Sequence, residues 1–323
     1  MNTKLKTIFI FLSLAFILCG CSAFAKEQKP TAAACTLPKT EKAQVTKSNS
    51  SLPNTKLPAL FTLPGIVYQE HALPEILDKL KKDNPNNNVV IYIHGKGDEP
   101  SKSIKDGLLD GLKVEYKLNP IMLTWASGQG VFPDKEALKA GDTLKKVLND
   151  LKKYKIQHSD TLKGTKFSLI THSMGSFVLE GFLNDYKKSG LPDDLFDTIV
   201  INAAASTVDN HADWVEKIDF SKQVFITYGH DDPMLRIASI GVNTARLGKH
   251  GARQDGKKER VAKNAIYVDF SQAVSEHRYF VGNGDQSCVY NFFNESLNGK
   301  SPDFSDRRFF TVSIPGKDYI VNK

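Results

Sequence analysis

The stretch Lys166-Phe-Ser-Leu-Ile-Thr-His-Ser-Met-Gly175 decides the fold. Residues 166–170 form a short apolar run of the length of a buried strand. Gly175 opens a helical pattern that continues to residue 188. Ser173 therefore stands in a sharp strand-to-helix turn, which projects its hydroxyl clear of the sheet. The residues two before and two after it must be small, or neighbouring backbone could not pass that closely. Gly175 meets this condition, whereas Thr171 stands where glycine is usual. The start of the next helix also aims unpaired N–H groups and the positive end of its dipole at the serine.

Outward from this turn the same alternation recurs. Val89-Val-Ile-Tyr-Ile93 is an uninterrupted apolar run fit for burial on both faces, and 120–125, 198–201, 223–228 and 265–270 read likewise. Amphipathic segments lie between them at 103–116, 134–154, 175–188 and 233–247. In the longest, Leu144, Val147, Leu148 and Leu151 recur at helical spacing. Strands alternating with helices predict an α/β fold, one domain with a mostly parallel sheet and helices on both faces. Beyond it, 289–297 reads as a helix and 308–314 as an added strand.

In such sheets reactive groups collect just beyond the C-terminal ends of the strands. Those ends carry His94-Gly95-Lys96-Gly97, Trp125-Ala126-Ser127, Thr171-His172-Ser173-Met174-Gly175, Asn202, Gly229-His230-Asp231-Asp232 and, after the last strand, His277. The chain resembles the α/β-hydrolase superfamily and, more narrowly, a bacterial family of small, largely uncharacterised α/β-hydrolases. Six of that family's motifs stand here in order. They are His94-Gly95, Trp125-Ala126-Ser127, His172-Ser173-Met174-Gly175, Tyr228 to Leu235, Arg246-Leu247-Gly248 and His277-Arg278-Tyr279-Phe280. The resemblance covers roughly 86–282, and Ala126 stands where the family prefers proline.

The resemblance implies a serine hydrolase that cleaves carboxylic esters or thioesters through an acyl-enzyme, with Ser173 as nucleophile, His277 as base and Asp232 as the orienting acid. Backbone N–H groups of Met174 and Lys96 would form the oxyanion hole. Asp232 directly before Pro233 also fits a helix N-cap, and a carboxylate has two oxygens, so both roles can coexist. Asp231 is the alternative acid; the spacing from Gly229 and to Leu235 favours Asp232. His250 follows the acid too, but precedes the last strand, and His94 and His172 are expected to shape turns rather than move protons. Between the sixth strand and the acid-bearing one, 205–222 leaves only 18 residues with one short helix around 213–218. No bulky cap fits there, so the site is expected to be open to a small ester or an acyl ester exposed on a larger molecule, unless the 246–263 loop closes over it. Trp125 and Phe132 either wall the pocket or pack the core. Two other readings remain: an acyltransferase using the same triad, and a catalytically idle hydrolase-fold binding module tethered in the cell envelope.

The chain of 323 residues has a net charge of +7. Lys4 and Lys6 precede an apolar run of 11 residues, Ile8 to Leu18. A spanning helix needs about 20, so residues 1–20 read as a signal peptide. Leu18-Cys19-Gly20-Cys21 resembles the lipobox of bacterial lipoproteins, which implies cleavage before Cys21, its lipidation and a membrane anchor in the bacterial cell envelope. Ser22 weakly favours the outer membrane, and cleavage near Ala23-Phe24-Ala25 is the alternative. Residues 21–58 are too polar to bury a core and are expected to form a flexible tether, leaving 59–323 as the hydrolase domain. Loss of Lys4 and Lys6 takes the net charge from +7 to +5, which equals the excess of the 246–263 segment alone. That segment is either a solvated loop or a contact for anionic lipid. No nucleic-acid-binding motif accompanies it. Cys35 and Cys288 could form one disulfide in an oxidising compartment. No metal-binding or nucleotide-binding motif occurs, the adjacent His230, Asp231 and Asp232 point in different directions, and no cofactor or metal is expected.

Overall fold

The apolar runs become the middle of a ten-stranded sheet. The computed structural model describes residues 59–321 except 64–65, 69–70, 99, 101, 103–105, 129, 131, 188–189, 243, 255–256, 259, 283–286 and 315–317. The expected signal peptide, Cys21, the tether and Cys35 lie outside the described residues. The strands are β1 (Ala59–Thr62), β2 (Ile66–Tyr68), β3 (Asn88–Ile93), β4 (Leu118–Thr124), β5 (Phe167–His172), β6 (Thr198–Asn202), β7 (Val224–Tyr228), β8 (Arg253–Gln254), β9 (Lys257–Lys258), β10 (Ile266–Asp269), β11 (Phe310–Ile314) and β12 (Asp318–Val321). The helices are α1 (Leu73–Asp83), α2 (Leu108–Tyr116), α3 (Asp134–Lys139), α4 (Gly141–Gln157), α5 (Gly175–Asn184), α6 (His211–Val215), α7 (Pro233–Val242), α8 (Leu247–His250) and α9 (Ser287–Leu297).

The sheet runs β11-β12-β10-β7-β6-β5-β3-β4-β1-β2, with β8 and β9 forming a separate two-stranded ribbon. Every neighbouring pair from β12 to β4 is parallel, and only the outermost strands are antiparallel. The sheet is thus mostly parallel with helices on both sides, as the alternating pattern predicts. From β3 the chain goes to β4 on one side, then crosses to β5, β6 and β7 on the other. That reversal of order between β3 and β5 is where open α/β sheets leave a crevice for ligands. β3 shows why these strands lie in the middle: residues Val89 to Ile93 are all buried, so both faces are covered.

The expected helix over 134–154 is two helices, α3 and α4. A side chain on Gly141 would lie 2.3 Å from the Phe182 amide nitrogen, and one on Gly181 would lie 2.1 Å from the Leu138 carbonyl oxygen. The break therefore accompanies backbone-to-backbone packing against α5. α7 likewise stops at Val242 and the chain re-enters a helix at Leu247, where one helix over 233–247 is expected. The added strand at the C-terminus is half of a pair, because β12 inserts parallel to β10 and carries β11 outside it. The β1–β2 hairpin and α1 carry no signal singled out in the sequence. α1 buries Leu73, Ile76, Leu77 and Leu80 on one face. Cys288, in α9, is buried and disulfide-bonded to a partner outside the described residues. No helix among the described residues is long and apolar enough to cross a membrane.

Candidate active site

Ser173 follows the last residue of β5 with φ of 53°, in the left-handed region that a non-glycine residue rarely adopts. Its neighbours hold it there. The Ser173 N–H donates to the Asn202 carbonyl at 3.1 Å, and the Ser173 carbonyl accepts from the amides of Ala205 (3.0 Å) and Ser176 (3.1 Å). The Ser176 hydroxyl adds a third bond to that carbonyl at 2.8 Å. The end of β3 presses on the turn from the other side. A side chain on Gly95 would lie 2.8 Å from Ser173 Cβ, and one on Gly175 would lie 2.4 Å from the Ile93 carbonyl oxygen. Thr171, in place of the usual glycine, is fully buried and its hydroxyl has no hydrogen-bond partner. Met174 precedes α5, whose first-turn amides have no partner within the helix. Lys96 sends its Nζ away across the rim to the Gly130 carbonyl at 2.8 Å.

At the end of β7, Asp232 is buried and uses its two oxygens separately. Oδ2 accepts from His277 Nδ1 at 2.6 Å, and Oδ1 accepts from the Leu235 amide at 2.9 Å. Helix cap and histidine partner thus coexist on one carboxylate. Asp231, the rival acid, is exposed and faces solvent. The His277 side chain is 16% exposed, so it is both held and reachable.

His94 and His172 shape the turns. The His94 ring donates from Nδ1 to the Gly95 carbonyl at 2.7 Å and accepts the Trp125 amide at Nε2, 3.3 Å away. The Trp125 indole N–H donates back to the His94 carbonyl at 2.8 Å, and the two rings stack. This ties the ends of β3 and β4 and leaves neither nitrogen of His94 for substrate. Trp125 is buried; Phe132 is partly buried, edge-on to Phe177, with the Arg246 guanidinium 4.7 Å from its ring centre.

Asp98 joins the two halves of the site and was not among the residues singled out in the sequence. Its buried carboxylate meets His172 Nδ1 at 3.3 Å and accepts from Arg278 Nη2 at 2.6 Å and from the Tyr92 hydroxyl at 3.3 Å. His172 directly precedes Ser173, and Arg278 directly follows His277. His172 Nε2 lies 3.2 Å from the His277 carbonyl, with the rings 4.6 Å apart; both of its partners are acceptors, so the neutral ring donates to one of them at a time. Burial pushes the Asp98 carboxyl up, but the His172 bond and the Arg278 charge outweigh it and hold it well below the usual carboxylate range. Burial lowers the His172 pKa against the pull of Asp98. The signal for this pair was a carboxylate in the β3 loop and an arginine beside the base, neither of which specifies a partner by spacing.

The basic segment is fastened beside the site. Lys249 Nζ donates to the His230 carbonyl at 2.7 Å, and Arg260 pairs with Asp213 and Glu216 next to α6. Arg246 is buried, donating to the carbonyls of Ala205 and Ala238. His230 lies 3.5 Å from Asp269, whose hydrogen bond raises its pKa. Only α6, five residues long, stands between β6 and β7. A groove of about 330 Å³ between α4 and α5 is lined by none of the site residues. Among the described residues no group of three or more His, Cys, Asp or Glu is placed to hold a metal ion.

Residues 68–284 match the model of a family described as an alpha/beta hydrolase of unknown function, DUF900. Among solved structures, the chain is similar to an esterase/lipase from an uncultured bacterium at 15% identity, over 66% of this chain and 78% of that one, with a TM-score of 0.35. It is similar to the apo form of Thermogutta terrifontis esterase 2 at 10% identity, over 67% and 86%, with a TM-score of 0.35. Carboxyl esterase 2 from the mycorrhizal fungus Tuber melanosporum is 14% identical over 65% and 78%, with a TM-score of 0.33. A search of curated proteins found no match.

Proposed function

The chain belongs to the DUF900 family of α/β hydrolases, and from that premise we propose that it is an exported serine hydrolase that cleaves carboxylic esters or thioesters through an acyl-enzyme. The observation that carries this reading is that one structure holds both a left-handed Ser173 turn and a His277 ring whose Nδ1 lies 2.6 Å from the Asp232 carboxylate. In this mechanism Ser173 Oγ attacks the carbonyl carbon while His277 Nε2 takes the hydroxyl proton. The Met174 and Lys96 amides stabilise the oxyanion, each worth about 10²- to 10³-fold in rate. Collapse of the intermediate breaks the bond to the leaving alcohol or thiol, which takes the proton from His277. Water then repeats the sequence and releases the acid. Asp98 is a positioning residue, fixing the main chain on either side of the Ser173–His277 pair. Cys21 carries the lipid that anchors the chain in the bacterial envelope, and Cys35 is the partner of Cys288.

The test treats the full chain with a fluorophosphonate probe and locates the adduct by peptide mass. Labelling of Ser173 that both Ser173→Ala and His277→Ala abolish is the expected result. A folded wild type that takes no label would remove the acyl-enzyme mechanism and leave the tethered binding module as the reading.

A further inference from the structure

Arg246-Leu247-Gly248 stands apart from the reacting groups, yet it grips the loop that sets the nucleophile. That loop leaves β6 through Ala203, whose φ of 45° puts a non-glycine residue in the left-handed region. Such backbone persists only where its surroundings over-determine it. Here three successive residues donate to three successive carbonyls. The Gly248 amide donates to the Ala204 carbonyl, Arg246 Nη1 to that of Ala205 and the Leu247 amide to that of Ser206, each at 2.8 Å. The backbones meet so closely that a side chain on Gly248 would lie 2.1 Å from the Ala204 nitrogen. With its carbonyls taken by this clamp, the loop gives its amides to the Ser173 turn. The Ala205 amide donates to the Ser173 carbonyl at 3.0 Å. The Ser206 amide donates to Ser176 Oγ at 3.1 Å, and the Ser176 hydroxyl donates to the same Ser173 carbonyl at 2.8 Å. The clamp also reaches the acid, because the Gly248 carbonyl accepts from the Gly229 amide at 3.0 Å and the Gly229 carbonyl from the Asp232 amide at 3.3 Å.

Leu247 and Gly248 contribute main-chain bonds, whereas Arg246 contributes a buried side chain. Its Nη2 donates to the Ala238 carbonyl of α7 at 3.1 Å, and α7 is the helix that Asp232 caps. Its guanidinium carbon lies 4.7 Å from the centre of the Phe132 ring, which meets Phe177 in the first turn of α5 edge-on. The charge is met by two carbonyl oxygens, an aromatic face and the field of Asp134. One planar fork thus joins the loop after β6, the helix after the acid and the helix after the nucleophile, a task for which a lysine point charge is poorly suited. We propose that Arg246 is a positioning residue for Ser173: its guanidinium locks the 204–206 loop, whose amides hold the nucleophile turn, and ties that loop to α7. The effect on the reaction rests on the hydrolase reading. The bonds of Arg246 go to main chain rather than to reacting atoms, so its loss slows attack by Ser173 and leaves substrate affinity in place.

The experiment compares the wild-type chain with Arg246→Met, which keeps side-chain length and loses the donors, and Arg246→Lys, which keeps the charge. All readouts are taken below the onset of thermal unfolding of each variant. They are turnover of a soluble short-chain ester, the rate of Ser173 labelling by a fluorophosphonate, and amide hydrogen exchange in peptides covering 203–207 and α4. Arg246→Met should lower kcat and the labelling rate roughly 10- to 100-fold with KM within about twofold, and Arg246→Lys should fall between it and wild type. Exchange across 203–207 should rise by roughly tenfold more than exchange across α4. A residue that only stabilises the fold would raise exchange alike in both places and leave the labelling rate at its wild-type value, which would overturn the proposal. A raised KM with kcat unchanged would also overturn it, by placing Arg246 against the substrate. Should Arg246→Met fail to fold, Arg246→Lys carries the same comparisons, with a fall in kcat of at least about threefold expected. A wild type that takes no label, with a variant that shows the local rise across 203–207, would keep Arg246 as the clamp while removing the hydrolase reading.

Discussion

Asp232 does two things with two oxygens, and the division can be tested one atom at a time. Asp232→Asn keeps an oxygen for the Leu235 amide, so stability should change by less than about 1 kcal/mol. It removes the carboxylate that holds the His277 tautomer, and kcat should fall by roughly 10⁴. Asp231→Asn, at an exposed position, should leave both unchanged; a comparable loss there would exchange the two assignments. Asp98 makes a different demand. Asp98→Asn removes the nearer of the two carboxylates on Arg278 and leaves Asp106 at 3.4 Å, at a cost of roughly 2 kcal/mol, below the range for a fully buried pair because the Arg278 side chain is 30% exposed. A positioning role predicts a fall in kcat with KM little changed, and Asp98→Glu recovering part of it; a variant that only loses stability would show neither. The acid at 232 was legible because its offsets from Gly229 and to Leu235 are local. Asp98 was not, because its partners at 172 and 278 are fixed only when β3, β5 and the loop after β10 meet.

At the scale of elements the site depends on backbones that nearly touch. At the Ser173 turn the test is Gly175, where a single methyl group would strike the Ile93 carbonyl at 2.4 Å. Since the obstacle is backbone at the centre of the sheet, Gly175→Ala should cost about 3 kcal/mol or more, read from urea unfolding. Gly164 is the contrast: φ is +85° but nothing lies within 4 Å of an added side chain. Gly164→Ala should cost only about 1–2 kcal/mol, from the left-handed backbone alone. Similar losses at the two positions would mean that the elbow can shift to make room. The same crowding explains the helix break at Gly141. The 3.6-residue pattern over 134–154 is continuous, and only the approach of α5 interrupts it.

Across the whole molecule, buried titrating groups give stability a pH dependence with a definite sign. Asp98 is held below its usual value of 3.8, so the unfolded chain takes up that proton first as the solution is acidified. Its contribution is complete above that value and is lost as pH falls towards the folded one. His230 works in the other direction. Its pKa is raised above 6.5 by the bond to Asp269, so its contribution is present below 6.5 and lost as pH rises through the folded value. With a side chain 42% exposed, it contributes little. The wild-type urea midpoint should therefore fall more steeply between about pH 5 and pH 3 than that of Asp98→Asn. Parallel slopes would show that the Asp98 cluster carries no linked proton.

By itself the sequence determined the α/β class and the order of the six inner parallel strands along the chain, because strand runs, turn glycines and motif spacings are local properties of the chain. Tertiary structure alone decided which strands are neighbours, that β12 extends the sheet beyond β10, and that Asp98 bridges the residue before Ser173 and the residue after His277. It also decided that Arg246 is buried against the loop behind Ser173. Each of these is set by what a distant part of the chain covers or leaves open, and that depends on how the whole chain packs.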